Sequence, residues 1–148
     1  MKFKEVKVIQ LEKVLQLIKA LFPIYVYVLL NGIYAGFATW WIPYLYIWTI
    51  LWAVTMLLPK AIITPTKKWQ YILYTVLLML LCGLHGLFFG ILYAPAQAIM
   101  YGLSFKATIA WIILGLYFDF IHAIGDFCAG ALILPLVKLL KMLDKKRI

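Results

Sequence analysis

The sequence predicts an all-α integral membrane protein, a six-transmembrane-helix bundle with both termini cytoplasmic, forming a single membrane domain over residues 1–148. Three observations carry this expectation. Apolar residues make up 67% of the chain and charged residues 13%, more apolar side chains than a soluble domain of this size has interior to hold. The charged residues gather in a few loops between long apolar runs. Those loops are basic, with 14 Lys+Arg against 5 Asp+Glu over the whole chain, the bias that marks the cytoplasmic side of a membrane protein. A net charge of +9 would point to nucleic acid in a soluble protein. Here it is assigned to topology and to anionic lipid headgroups, and no nucleic-acid partner is expected.

Residues 1–20 read as an amphipathic interfacial helix leading into the first span. Val8, Leu11, Leu15, Ile18 and Phe22 recur at helical spacing, while Glu5, Glu12, Lys13, Gln16 and Lys19 fall on other faces. No small-residue cleavage site follows a short apolar core, so a cleavable signal peptide is not expected. Pro23 is placed to redirect the chain as it meets the membrane. The first span covers about residues 21–37. In the segment GFATWWIP, Trp40, Trp41 and Tyr44 suit a membrane–water interface. A second span runs to about Leu58, and PKAIITPTKK, with two prolines and three lysines, is the clearest loop.

Trp69 to Phe105 is uncharged apart from His85 and too long for one straight span of about 20 residues. Gly83 and Gly86 in CGLHG offer a break at 82–86, giving spans at 69–83 and 87–104, the latter kinked at Pro95. Ala107 to Val137 carries Asp119, His122 and Asp126 near its middle. A carboxylate at the bilayer centre costs roughly 2.5–3.5 kcal/mol on insertion scales. The chain is therefore expected to surface there, with a short span at 107–118, a turn, and a last span at about 122–140. All Lys and Arg then face one side. A four-span arrangement is the alternative, leaving only Lys106 opposite.

Intramembrane ionisable residues point to function. Asp119, His122 and Asp126 stand at i, i+3 and i+7, and His85 falls at the same expected depth. They are candidates for substrate contact, for capping or tying helices, or for metal ligation, although their spacing matches no recognised metal motif. Tyr34, Trp40, Trp41, Tyr93 and Trp111 are candidates to line an outward pocket for a flat ring, or to form interfacial belts. Gln97 needs a hydrogen-bond partner within an apolar span, either a neighbouring helix or a ligand. Gly32 with Gly36, and Gly86 with Gly90, are small-xxx-small pairs for helix packing or a partner interface. Cys82 and Cys128 read as buried free thiols. No Ser/His/Asp order, HExxH or Walker-type motif is present, so neither an enzyme nor ATP hydrolysis by this chain is expected. No cofactor is expected either.

Three elements in order, FGxLYAPAQA at 89–98, AWIxxGLxFDxIHxxGD at 110–126 and LxLPLxKLLKxL at 132–143, resemble the membrane-embedded substrate-binding S-components of energy-coupling factor (ECF) vitamin transporters. The likeness covers roughly the last sixty residues. It implies a six-span protein that captures a vitamin or related small heteroaromatic molecule at the outer face. Such a subunit associates with a transmembrane T-component and two ATP-binding-cassette ATPases. Carried over by position, it implicates Asp119, His122 and Asp126, with Trp40, Trp41 and Trp111 as stacking surfaces. Position 126 is Asp where similar sequences favour Asn. Two other functions remain open on the same residues: a divalent-metal uptake subunit using His85, His122, Asp119 and Asp126, and a non-transporting membrane scaffold.

Overall fold

The computed structural model describes the backbone of residues 2–145 and the side chains of residues 17–145. Among the described residues the chain is all-α, with no strand. Its helices are α1 (Lys2–Ala35), α2 (Trp41–Met56), α3 (Lys68–Leu87), α4 (Phe89–Tyr101), α5 (Phe105–Gly130) and α6 (Ile133–Lys145), with a 3₁₀ turn at Lys60–Ile63. Leu17–Ala35, Lys68–Tyr101 and Phe105–Lys145 are long and apolar enough to cross a membrane, and α2 is a shorter apolar helix. The chain divides into two compact units, Met1–Thr55 and Met56–Ile148.

In the first unit, α1 ends where Gly36 takes a φ of 88°, a left-handed conformation that costs glycine least. The chain reverses over residues 36–40, and α2 packs antiparallel on α1. The Trp41 indole N–H donates to the Val28 carbonyl at 2.7 Å. The Tyr25 and Thr49 hydroxyls lie 3.1 Å apart, and Tyr27 meets Trp48 edge-to-face with centroids 5.5 Å apart. Val28, Ile47 and Pro43 are the largest fully buried side chains among the described residues. Gly32 provides the seat for this turn: a Cβ there would stand 2.7 Å from Trp41 Nε1 and collide with the Phe37 ring. α1 is continuous from Lys2, with Pro23 inside it, so no break separates an interfacial helix from a first span. The amphipathic faces expected over residues 1–16 lie outside the described side chains.

The second unit is a long helical hairpin. Gln70 Oε1 accepts from the backbone N–H groups of Thr66 and Lys67 and fixes the start of α3. α4 ends on Gly102 at φ 61°, where the N–H groups of Gly102 and Leu103 both return to the Ala98 carbonyl. Ser104 then caps α5, its hydroxyl accepting from the Ala107 N–H at 3.3 Å. The turn between α4 and α5 is therefore short and hydrogen-bonded at both of its ends.

Opposing residues set the register of this hairpin. Met79 faces Gly130, Gly83 faces Phe127, Gly86 faces Ala123 and Gly90 faces Asp119, while Tyr93 stacks on Trp111. One number falls as the other rises, so α3 and α4 together form one antiparallel partner of α5. Their boundary is the single residue Phe88, at φ −90° and ψ 5°. The N–H groups of Phe88 and Leu92 still donate to the carbonyls of Leu84 and Phe88, so the chain keeps its direction.

Past α5, the N–H groups of Ala131 and Leu132 bond carbonyls three residues back, a local tightening rather than a reversal. α6 then follows the base of α3. Leu134 joins Leu78 and Ile62 in the buried core, and Lys141 Nζ donates to the Ile63 carbonyl at 3.3 Å.

Two expected turns are therefore corrected. The CGLHG segment lies within α3, and neither Gly83 nor Gly86 has a positive φ. These glycines allow close helix approach instead of breaking the helix. The turn expected between 118 and 122 is absent as well, because α5 runs unbroken from Phe105 to Gly130. α5 turns its carboxylates onto the glycine face of α3 and α4.

Candidate functional site

α5 turns its two carboxylates inward. Asp119 is 3% exposed, whereas its neighbours Phe118 and Phe120 are 64% and 59% exposed. A helix with apolar groups outside and an acid inside matches lipid or an apolar partner on its outer face. Asp119, Ala123, Asp126 and Gly130 recur at three- and four-residue steps and lie along the seam against α3 and α4.

Each carboxylate of this seam sits over a glycine. A Cβ on Gly90 would collide with Asp119 Oδ2, and one on Gly86 would stand 2.7 Å from Asp126 Oδ2. The helices can approach this closely only because these two positions lack side chains. Gly83 and Gly130 extend the contact, with virtual Cβ distances of 3.1 Å to Phe127 Cβ and 2.7 Å to Met79 Cα.

Asp119 Oδ1 accepts a hydrogen bond from the Gly90 backbone N–H at 2.9 Å. Gly90 is the second residue of α4, where a helix has N–H groups without intrahelical acceptors. Asp119 thus caps α4 from another helix, beside the positive end of its dipole. Its Oδ2 is buried without a hydrogen-bond partner among the described residues.

Asp126 occupies a different setting, half-buried and interacting electrostatically with both His85 and His122. His122 also interacts with Asp119. His85 is buried, while His122 is exposed. Phe89 links the two imidazoles, its ring 6.4 Å from His85 and 5.3 Å from His122. From Phe89 the aromatic series continues to Tyr93 at 6.0 Å, and Tyr93 lies nearly parallel to Trp111 at 5.6 Å. The result is one polar cluster joined to a run of ring faces along α3, α4 and α5. Gln97 lies one turn beyond Tyr93 on α4, half-buried.

The structure therefore unites His85, Asp119, His122, Asp126, Tyr93 and Trp111. Trp40 and Trp41 belong to the first unit, where Trp40 meets Tyr44 edge-to-face and Trp41 bonds Val28. Tyr34 is almost fully exposed. The paired glycines also divide by role. Gly32, Gly86 and Gly90 are packing seats, while Gly36 faces open space and turns the chain. Sequence reasoning missed Phe89 as the link between the imidazoles, and Gly83, Ala123 and Gly130 as seam residues. Their periodicity becomes visible only when α3 and α5 are read as unbroken helices.

Cys82 is half-buried and Cys128 exposed, and both are free. Among the described residues, no three His, Cys, Asp or Glu side chains are grouped to hold a metal ion. No protein-family model matches the sequence, and neither a curated protein nor a solved structure matches it.

Proposed function

We propose that this chain is a multi-pass protein of a prokaryotic plasma membrane and works as the substrate-capture subunit of an ECF-type importer. Four crossings, with both ends cytoplasmic, fit the helices best: α1, α2, the α3–α4 rod and α5. The resemblance implies six, but α3 and α4 run in one direction, and so do α5 and α6. On this reading Lys60, Lys67, Lys68 and the lysines of α6 share the cytoplasmic side, and Lys106 lies outside.

One observation carries the proposal: an acid–imidazole cluster, His85–Asp126–His122, continuous with the rings of Phe89, Tyr93 and Trp111 on otherwise apolar helices. Ionisable groups are costly in lipid, and a paired set there is expected to serve a purpose. Asp126 offers an anionic acceptor to a polar or cationic edge. His122 is the exposed imidazole and His85 the buried one that act on this carboxylate, and the ring faces stack on a vitamin-like heteroaromatic solute, each such pair contributing about 0.5–1.5 kcal/mol. Asp119 supports the site by capping α4. A chain without nucleotide-binding motifs needs partners for energy, which the resemblance supplies as a T-component and two ATPases.

The test is mass spectrometry of small molecules carried through detergent purification, comparing the wild type with Asp126→Asn and His122→Ala. The proposal expects one heteroaromatic compound in the wild type, depleted about tenfold or more in either variant, with unchanged thermal stability. Bound divalent metal lost in His85→Ala and His122→Ala would instead identify a metal-uptake subunit. Cellular uptake unaltered by Asp119→Asn and Asp126→Asn would leave a scaffold.

A further inference from the structure

A second site lies at the opposite end of the hairpin from Lys106, where α6 passes the loop before α3. A cavity of about 560 Å³ opens there, lined by Thr64, Thr66, Tyr71, Lys138, Lys141 and Lys145. The three lysines stand at i, i+3 and i+7, so one face of α6 brings all three to the cavity they line. Leu134 and Val137 add an apolar wall. α6 is strongly amphipathic, unlike α2 and α5, as suits an element at a membrane surface.

The donors can be assigned one by one. The Thr64 hydroxyl donates to the Lys60 carbonyl and the Thr66 hydroxyl to Gln70 Oε1, so each has already committed its single proton. Lys141 gives one of its three protons to the Ile63 carbonyl. Among the lining residues, Lys138, Lys141, Lys145 and the Tyr71 phenol keep protons to donate, next to an apolar wall. Asp144, the one acid of α6, does not line it.

We propose that this cavity binds the phosphate headgroup of an anionic phospholipid, with the ammonium groups and Tyr71 on the phosphate and the glycerol–acyl region against Leu134 and Val137. A free phosphate or a soluble phosphorylated compound offers the same anion but nothing for the apolar wall. The lipid is therefore favoured. The inference is independent of the solute captured at Asp126.

The experiment is native mass spectrometry of the full chain released from nanodiscs of equimolar phosphatidylglycerol and phosphatidylcholine. The variants are Lys138→Gln, Lys145→Gln and their double, with Lys106→Gln as control; Lys141 is left intact because it holds the Ile63 loop. The expected result is phosphatidylglycerol retained above its bulk share, reduced about fivefold per lysine removed at the site and unchanged in Lys106→Gln. Thermal melting in the same nanodiscs confirms that each variant is folded, and a misfolded variant is replaced by Lys→Met at the same position. Equal retention of the two lipids, or enrichment unaffected by the double variant, overturns the proposal. Displacement of the lipid by millimolar inorganic phosphate overturns it as well, and assigns the site to a soluble anion.

Discussion

Asp119 Oδ1 accepts from the backbone N–H of Gly90 at 2.9 Å across 29 residues of sequence, and its second oxygen fills the space that a Gly90 side chain would occupy. Two requirements meet at this point. α4 needs an acceptor for an N–H in its first turn, and α5 needs a place for an acid away from lipid.

Substituting Gly90→Ala should destabilise the protein by about 1–3 kcal/mol through overpacking against the carboxylate. Gly125→Ala, where an added Cβ meets nothing within 4 Å, should be neutral or stabilising by up to about 1 kcal/mol through helix propensity. Thermal unfolding in one detergent compares them directly. Equal melting temperatures for the two variants would contradict the pairing of Gly90 with Asp119.

Asp119→Asn keeps an acceptor for the Gly90 N–H and should fold nearly as well as the wild type. Asp119→Ala leaves that N–H buried and unpaired, at a cost of about 1–3 kcal/mol. The expected order of stability is therefore wild type, Asn, Ala. An Ala variant as stable as the wild type would remove the capping role.

In the first unit, Trp41→Phe deletes the donor to the Val28 carbonyl while keeping most of the ring volume. The expected loss is about 1 kcal/mol. Gly32→Ala should cost more, because its Cβ meets both the Phe37 ring and Trp41 Nε1. Double-variant coupling between positions 32 and 41 would confirm that they act on one contact.

Four crossings make a prediction about accessibility. In a Cys82→Ala, Cys128→Ala background, Lys106→Cys should react with a membrane-impermeant thiol reagent on intact cells. Lys145→Cys should react only after permeabilisation. Gly125→Cys, exposed midway along the apolar segment Phe105–Lys145, should resist both treatments. Labelling of position 125 from outside would restore the turn that the six-span expectation placed near 119.

Composition and local pattern settled the class of this protein, its helical content and several of its boundaries. The apolar runs made helices long enough for a membrane, and PKAIITPTKK marked the link before α3. Those features depend on residues close in sequence, and so they are legible there. The course of the chain through CGLHG and through Asp119–Asp126 is a different matter. A glycine pair breaks a helix or seats a neighbour, and a carboxylate in an apolar run surfaces or finds a partner; each alternative satisfies the local sequence. Only the packing of α3 and α4 on α5 decides between them, because the partner that makes an unbroken helix tolerable for Asp119 is a backbone N–H on α4. Phe88, with no glycine or proline of its own to announce it, became the boundary between two helices for the same reason.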